Sequence, residues 1–149
     1  MDIFEMLKTD HQMVMDIVDK LESTSDRAGK TRQKQFERLK DELLPHMFAE
    51  EKYFYPMILD KTSDKEERQT ILQGIEEHRA ARSVLKDCED AGYTDERWKA
   101  DLKVLKELLT HHIEEEESEI FEVAREVIED PDEVGTQFRT VKHEQEVAV

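Results

Sequence analysis

Four histidines and two glutamates, His11, His46, Glu50, His78, His112 and Glu116, stand where a helical reading of the chain expects apolar side chains. At about 100° per residue, positions i and i+4 differ by only about 40°. His46 with Glu50 and His112 with Glu116 therefore each present an imidazole and a carboxylate on one helix face, one turn apart. Buried polar groups need partners, so six such exceptions on otherwise apolar stripes call for a shared purpose.

An internal repeat sharpens that reading. Asp10-His11 corresponds to Glu77-His78, and the run His46 to Glu51 corresponds to the run His112 to Glu117. His11 precedes His46 by 35 residues and His78 precedes His112 by 34, so equivalent side chains reach similar depths when two helical hairpins face each other. A carboxylate can bridge two cations about 3.5 to 4 Å apart while neutral imidazoles fill terminal positions. Two metals sharing two carboxylates is the expected arrangement. Mixed nitrogen and oxygen ligation with an open position suits redox-active iron ahead of zinc or manganese.

Tyr53 follows Glu50 by three residues and His46 by seven, which by helical count puts it on the same stripe. There it could ligate a metal, hydrogen-bond a bound oxygen species, or simply pack in the core. Glu119 holds the corresponding place after Glu116, beside the ligands or paired with Arg82. The acidic neighbours in Glu50-Glu51 and Glu114 to Glu117 mostly point away from the stripe and read as a solvated face. His111 lies about 100° to one side of His112 and is expected to be peripheral, and His143 falls in the tail.

The elements that must position these residues are helices. With 40% charged residues, 37% hydrophobic ones, 4 Gly and 3 Pro, the composition favours long helices with few turns. Apolar periodicity places helix 1 from about Asp2 to Leu21 and helix 2 from about Thr31 to Leu59. Pro45 should kink helix 2 just before His46, and Pro56 should loosen its last turn. Ser63 with Glu66 makes a capping box for helix 3, which Gly92 ends; Thr94 caps helix 4, which Asp130-Pro131 closes. The fold expected is all-α, an antiparallel up-down-up-down four-helix bundle over residues 1–130. Residues 131–149 follow as a C-terminal helix or tail, with Val134, Phe138 and Val141 as its apolar positions.

The pattern His, His-x-x-x-Glu, His, His-x-x-x-Glu resembles the hemerythrin-like, or HHE cation-binding, family, over roughly Asp2 to Glu129. The resemblance implies a four-helix bundle with an oxo- or hydroxo-bridged di-iron centre, the six residues as ligands, both glutamates as bridges, and dioxygen-related chemistry. The oxygen-carrying hemerythrins place two histidines four residues apart on the third helix, whereas here the second position holds Arg82. Arginine cannot ligate iron, which argues against reversible oxygen transport.

A formal net charge of -16 argues against nucleic-acid or anionic-membrane partners. Cys88 is the sole cysteine, so no internal disulfide forms, in keeping with a reducing compartment. Met1 to Thr9 lacks a basic region followed by an apolar run, and no stretch approaches the roughly 20 apolar residues of a membrane helix. A soluble, cytoplasmic protein is expected, with a small oxidant or gas as its partner: hydrogen peroxide, dioxygen or nitric oxide. Catalase-like peroxide decomposition or redox chemistry of nitric oxide or dioxygen is one expectation, with Tyr53 or Arg82 steadying the developing charge. An iron or oxygen sensor, or an iron or oxygen store without turnover, is the other.

Overall fold

The computed structural model describes residues 1–148. Helix α1 spans Ile3–Glu22, and Asp2 caps it by accepting the Glu5 amide at 2.8 Å. Helix α2 spans Gly29–Ala49 and continues, through a π-helical turn at Glu50–Phe54, into α3 at Tyr55–Lys61. Helix α4 spans Lys65–Ala91 and α5 spans Glu96–Glu115, which passes through a second π turn at Glu116–Ile120 into α6 at Phe121–Val127. These segments make four long rods joined by short loops, the antiparallel up-down-up-down bundle expected from the periodicity.

Two N-caps fall one residue beyond those expected, and the last rod ends at Val127, short of the expected Asp130-Pro131, which instead opens the next helix. Asp64, not Ser63, caps α4 by accepting the Glu67 amide at 2.9 Å, and Asp95, not Thr94, caps α5 by accepting the Arg97 amide at 2.8 Å. A carboxylate is the stronger acceptor at a helix N-terminus, where the dipole adds to the hydrogen bond. Gly92 ends α4 as expected, at φ 87°, a backbone region where a Cβ is strained. The helical winding of α2 runs on through Pro45, and the irregularity in this rod comes at the π turn instead. Pro56 sits in the first turn of α3. It is not the cause of the π turn, because the second rod forms the same turn without a proline.

The stretch after Asp130 is a packed helix rather than a tail. Helix α7 spans Pro131–Ala148, buries Val134 and Phe138, and lies against α1 and α2. Val149 falls outside the described residues.

Two apolar clusters fill the bundle. Ile3, Leu7, Phe54, Ile58, Phe121 and Phe138 belong to one; Val18, Leu21, Phe36, Leu39, Trp98 and Leu105 belong to the other. The six polar residues singled out by the sequence lie between them. At the far end, Arg32 is almost wholly buried, stacks on the Trp98 ring at 4.2 Å, and donates to the carbonyls of Thr24 and Tyr93. It thereby ties the α1–α2 loop to the α4–α5 loop. Among the described residues, no helix is long and apolar enough to cross a membrane.

Candidate metal centre

Each of the four rods delivers its polar residues to the same level of the bundle. His11 comes from α1, His46 from the end of α2, His78 from α4 and His112 from α5. Glu50 and Glu116 are the first residues of the two π turns. All six are buried, and the two glutamates have no exposed surface. They form two overlapping groups whose potential ligand atoms lie within 4.8 Å of one another: His11, His46, Glu50 and Glu116 in one, and Glu50, His78, His112 and Glu116 in the other. Glu50 and Glu116 belong to both.

The proton positions follow from the outer side of each ring. The Nδ1–H of His11 donates to Glu117 at 2.7 Å and that of His46 to Asp10 at 2.9 Å. Likewise, the His78 Nδ1–H donates to Glu51 at 2.8 Å and that of His112 to Glu77 at 2.8 Å. A carboxylate only accepts, so each imidazole keeps a proton on Nδ1 and, when neutral, turns a bare Nε2 lone pair inward. There the lone pairs meet other acceptors. His46 Nε2 lies 3.0 Å and His78 Nε2 3.1 Å from Glu50 Oε1, and the Nε2 atoms of His78 and His112 stand 3.0 Å apart. His11 Nε2, both oxygens of Glu50 and Oε1 of Glu116 are buried without a hydrogen-bond partner. Acceptors this close in a dry site repel unless a cation lies among them. The donor set fits metal ions, and the outer carboxylates stand where partners that orient metal-bound imidazoles would stand.

Charge supports the same fit. Six carboxylates surround the site, two inner and four outer, and two side-chain cations face them: Lys142 at Asp10 and Arg82 at Glu51. Six less two leaves four negative charges, the charge that two divalent cations would balance. Without cations the site would draw in protons. Burial lowers His46, but the Glu50 charge and the bond to Asp10 outweigh it and push the imidazole up to about 10. His112 is also lowered by burial and pushed up to about 10 by Glu116 and Glu77. Burial raises Glu116, yet Glu50, His11 and His112 together hold its carboxyl well below the usual range.

A seventh residue reaches the site that helical counting misplaces. In the first π turn the Tyr55 amide bonds the carbonyl of Glu50, so side chains five apart, rather than three or four, lie one above the other. Tyr55 thus takes the place expected of Tyr53. Its buried hydroxyl donates to Glu116 Oε2 and lies 3.3 Å from His112 Nε2 and 3.5 Å from His78 Nε2. Tyr53 is carried off the stripe and packs, half-buried, at the edge of the apolar cluster. The second π turn does the same to Glu119, which is exposed, while Phe121 takes the position matching Tyr55. Arg82 does not meet Glu119; its guanidinium forks onto both oxygens of Glu51 at 3.0 and 2.5 Å.

The position on α4 that faces the centre beside His78 is Gly74, four residues before it. A Cβ there would stand 3.1 Å from Ile120 Cδ1 and 3.6 Å from both Tyr55 Oη and His112 Cε1, so these three side chains leave little room for a larger one at 74. Glu51 and Glu117 read in the sequence as solvated acids, and Asp10 and Glu77 only as matching members of the repeat, although the repeat offered the signal. Each half carries an acid just before its first histidine and just after its glutamate. The first of these serves the second histidine of its own half, and the second serves the first histidine of the other half. His111 is peripheral as expected, with its side chain 66% exposed. His143 is exposed on α7.

An apolar cavity with room for a water-sized guest adjoins the six residues, walled by Val14, Leu43, Met47, Ala81, Leu109 and Ile113. A surface groove lined by Lys8, Gln12, Met15, Ile113 and Glu117 reaches His11 from outside.

Comparison with known proteins agrees with the fold and with a cation-binding domain. A family model for the hemerythrin HHE cation-binding domain matches residues 2–124. The crystal structure of a hemerythrin HHE cation-binding domain-containing protein from Mycobacterium kansasii is similar in fold, with a TM-score of 0.84 at 20% identity. The alignment covers 99% of this chain and 89% of that one. No protein of curated function matches the sequence significantly.

Proposed function

Because this chain belongs to the hemerythrin HHE cation-binding family, we propose that it holds a pair of iron ions at the six-residue cluster and uses them to bind or react with a small oxidant. The observation that carries the reading is the doubled group of bare acceptors sharing Glu50 and Glu116. His11 and His46 would serve one ion, His78 and His112 the other, and the two glutamates both. An iron pair in such a site supplies Lewis acidity and two-electron redox exchange.

The chain's own residues define the rest. Asp10, Glu51, Glu77 and Glu117 hold the four rings in one tautomer and one orientation. Tyr55 gives the His78/His112 side a phenol that is either a further oxygen donor or, as its hydrogen bond to Glu116 shows, a proton held at the edge of the site. Burial, with the charges of Glu116 and Glu50, raises that phenol well above its ordinary pKa, so it keeps its proton until a cation draws it off. The matching residue on the other side, Phe121, has nothing to offer. The His11/His46 side is therefore the one with fewer protein donors, and it is also the side the surface groove reaches. The apolar cavity beside the cluster has room for a guest of about the size of one water molecule, which favours a small oxidant over a larger substrate.

The reading is tested by loading the protein with ferrous iron without air and adding each of the three oxidants in turn while following the visible spectrum. A change with at least one of them, with peroxide consumed over many turnovers if the protein is a peroxidatic enzyme, is expected. A loaded protein inert to all three would overturn the reactive reading and leave a cation-binding domain alone.

A further inference from the structure

Helix α7 lies beyond the span matched by the family model, yet it reaches the centre. Lys142 Nζ donates to both oxygens of Asp10, each at 3.1 Å, and Asp10 Oδ2 accepts the Nδ1–H of His46 at 2.9 Å. One turn earlier on the same face, the fully buried Phe138 sets its ring edge-on to the His46 imidazole, with centroids 6.0 Å apart at 71°. The side chains of Lys142 and Asp10 are only 16% and 11% exposed, so water screens this contact weakly. Glu42, at 3.9 Å, is the other carboxylate near Lys142. Gly135 lets the helix come this close, because a Cβ there would stand 2.8 Å from the carbonyl oxygen of Met1.

The second half of the bundle has no equivalent among the described residues. Glu77, which accepts from His112, turns its other oxygen to the exposed His111 at 3.2 Å. Glu51, which accepts from His78, is held by Arg82 of α4 itself. Among the four ring positions, that of His46 alone is set from the C-terminal helix.

We propose that Lys142 and Phe138 are positioning residues for His46, so that α7 sets how firmly the His11/His46 side holds its cation while leaving the His78/His112 side untouched. Lys142 keeps Asp10 aimed at the Nδ1–H, Asp10 keeps Nε2 bare and inward, and Phe138 blocks rotation of the ring. Anything that lifts α7 loosens one cation of two. The inference rests on the metal reading above.

The test uses the full chain loaded with cobalt(II), whose visible spectrum reports coordination, and follows release to a chelator for wild type, Lys142→Met, Lys142→Arg and Phe138→Leu. Loss of a partner that orients a metal-bound imidazole costs about 10- to 100-fold in affinity. In Lys142→Met one equivalent should leave about tenfold faster while the other keeps the wild-type rate; Phe138→Leu should act on the same equivalent. Lys142→Arg should restore slow release, because it restores the charge at Asp10. Thermal unfolding of the metal-free variants separates a fold defect from a site effect. If wild type binds two equivalents and Lys142→Met releases both at wild-type rates, or both faster by the same factor, the inference is overturned and the metal reading stands. If wild type binds none, both fall together.

Discussion

A neutral imidazole that gives its Nδ1 proton to a carboxylate is committed: its Nε2 can only accept, and here four such nitrogens converge on two carboxylates. The outer acids therefore matter as much as the imidazoles they orient. Asp10→Asn or Glu77→Gln should weaken metal binding by about 10- to 100-fold in chelator competition, with little change in helix content. Tyr55→Phe keeps the ring and removes the hydroxyl, so metal should still bind, and any visible absorption that depends on the phenol should vanish. An unchanged spectrum of the loaded variant would leave Tyr55 as a hydrogen-bond donor to Glu116 and nothing more. The six inner residues were legible in the sequence because each interrupts an apolar stripe at helical spacing. Tyr55 was not, because counting by three and four assumes an unbroken α-helix, and the five-residue hydrogen bond from Tyr55 to Glu50 shifts the phase by the amount that trades Tyr53 for Tyr55. Glu51 and Glu117 were hidden by their neighbours, since a glutamate in an acidic run looks like any solvated charge, and Asp10 and Glu77 lie off the apolar stripes that marked the inner six.

At the level of elements, three of the four rods begin on an aspartate cap, and the two π turns start on the two shared glutamates. Their recurrence at equivalent places, once with a nearby proline and once without, ties them to the site rather than to local sequence. Asp95→Ala should cost about 0.5 to 2 kcal/mol in urea denaturation by leaving an amide of α5 without its acceptor. Gly135→Ala is the sharper case. Alanine favours a helix interior by about 1 kcal/mol over glycine, but the new Cβ would meet backbone oxygen at 2.8 Å. The variant should therefore be less stable than wild type, and a gain in melting temperature would show that α7 does not pack on the start of α1 as described. The four rods were readable from periodicity alone. Helix α7 was not, because only Val134, Phe138 and Val141 mark its inner face and its docking depends on surfaces of α1 and α2 that no local pattern reveals.

For the whole molecule, a layer of buried acceptors and charge lies between two apolar clusters, and a bundle built this way is held together at its middle by whatever neutralises the layer. Binding to the folded chain alone stabilises by about 2.7 kcal/mol at a hundredfold excess over Kd, so stripping the metal should lower the melting temperature markedly. With a formal net charge of -16, the metal-free protein should also recover part of that loss as salt is raised, because screening relieves its self-repulsion. The central claim is that two cations share Glu50 and Glu116, and metal stoichiometry by elemental analysis after desalting tests it most directly. Wild type should retain two equivalents per chain, His78→Ala one, and Glu50→Ala neither. A wild type that retains a single equivalent or none, or a Glu50→Ala chain that still holds two, would contradict it.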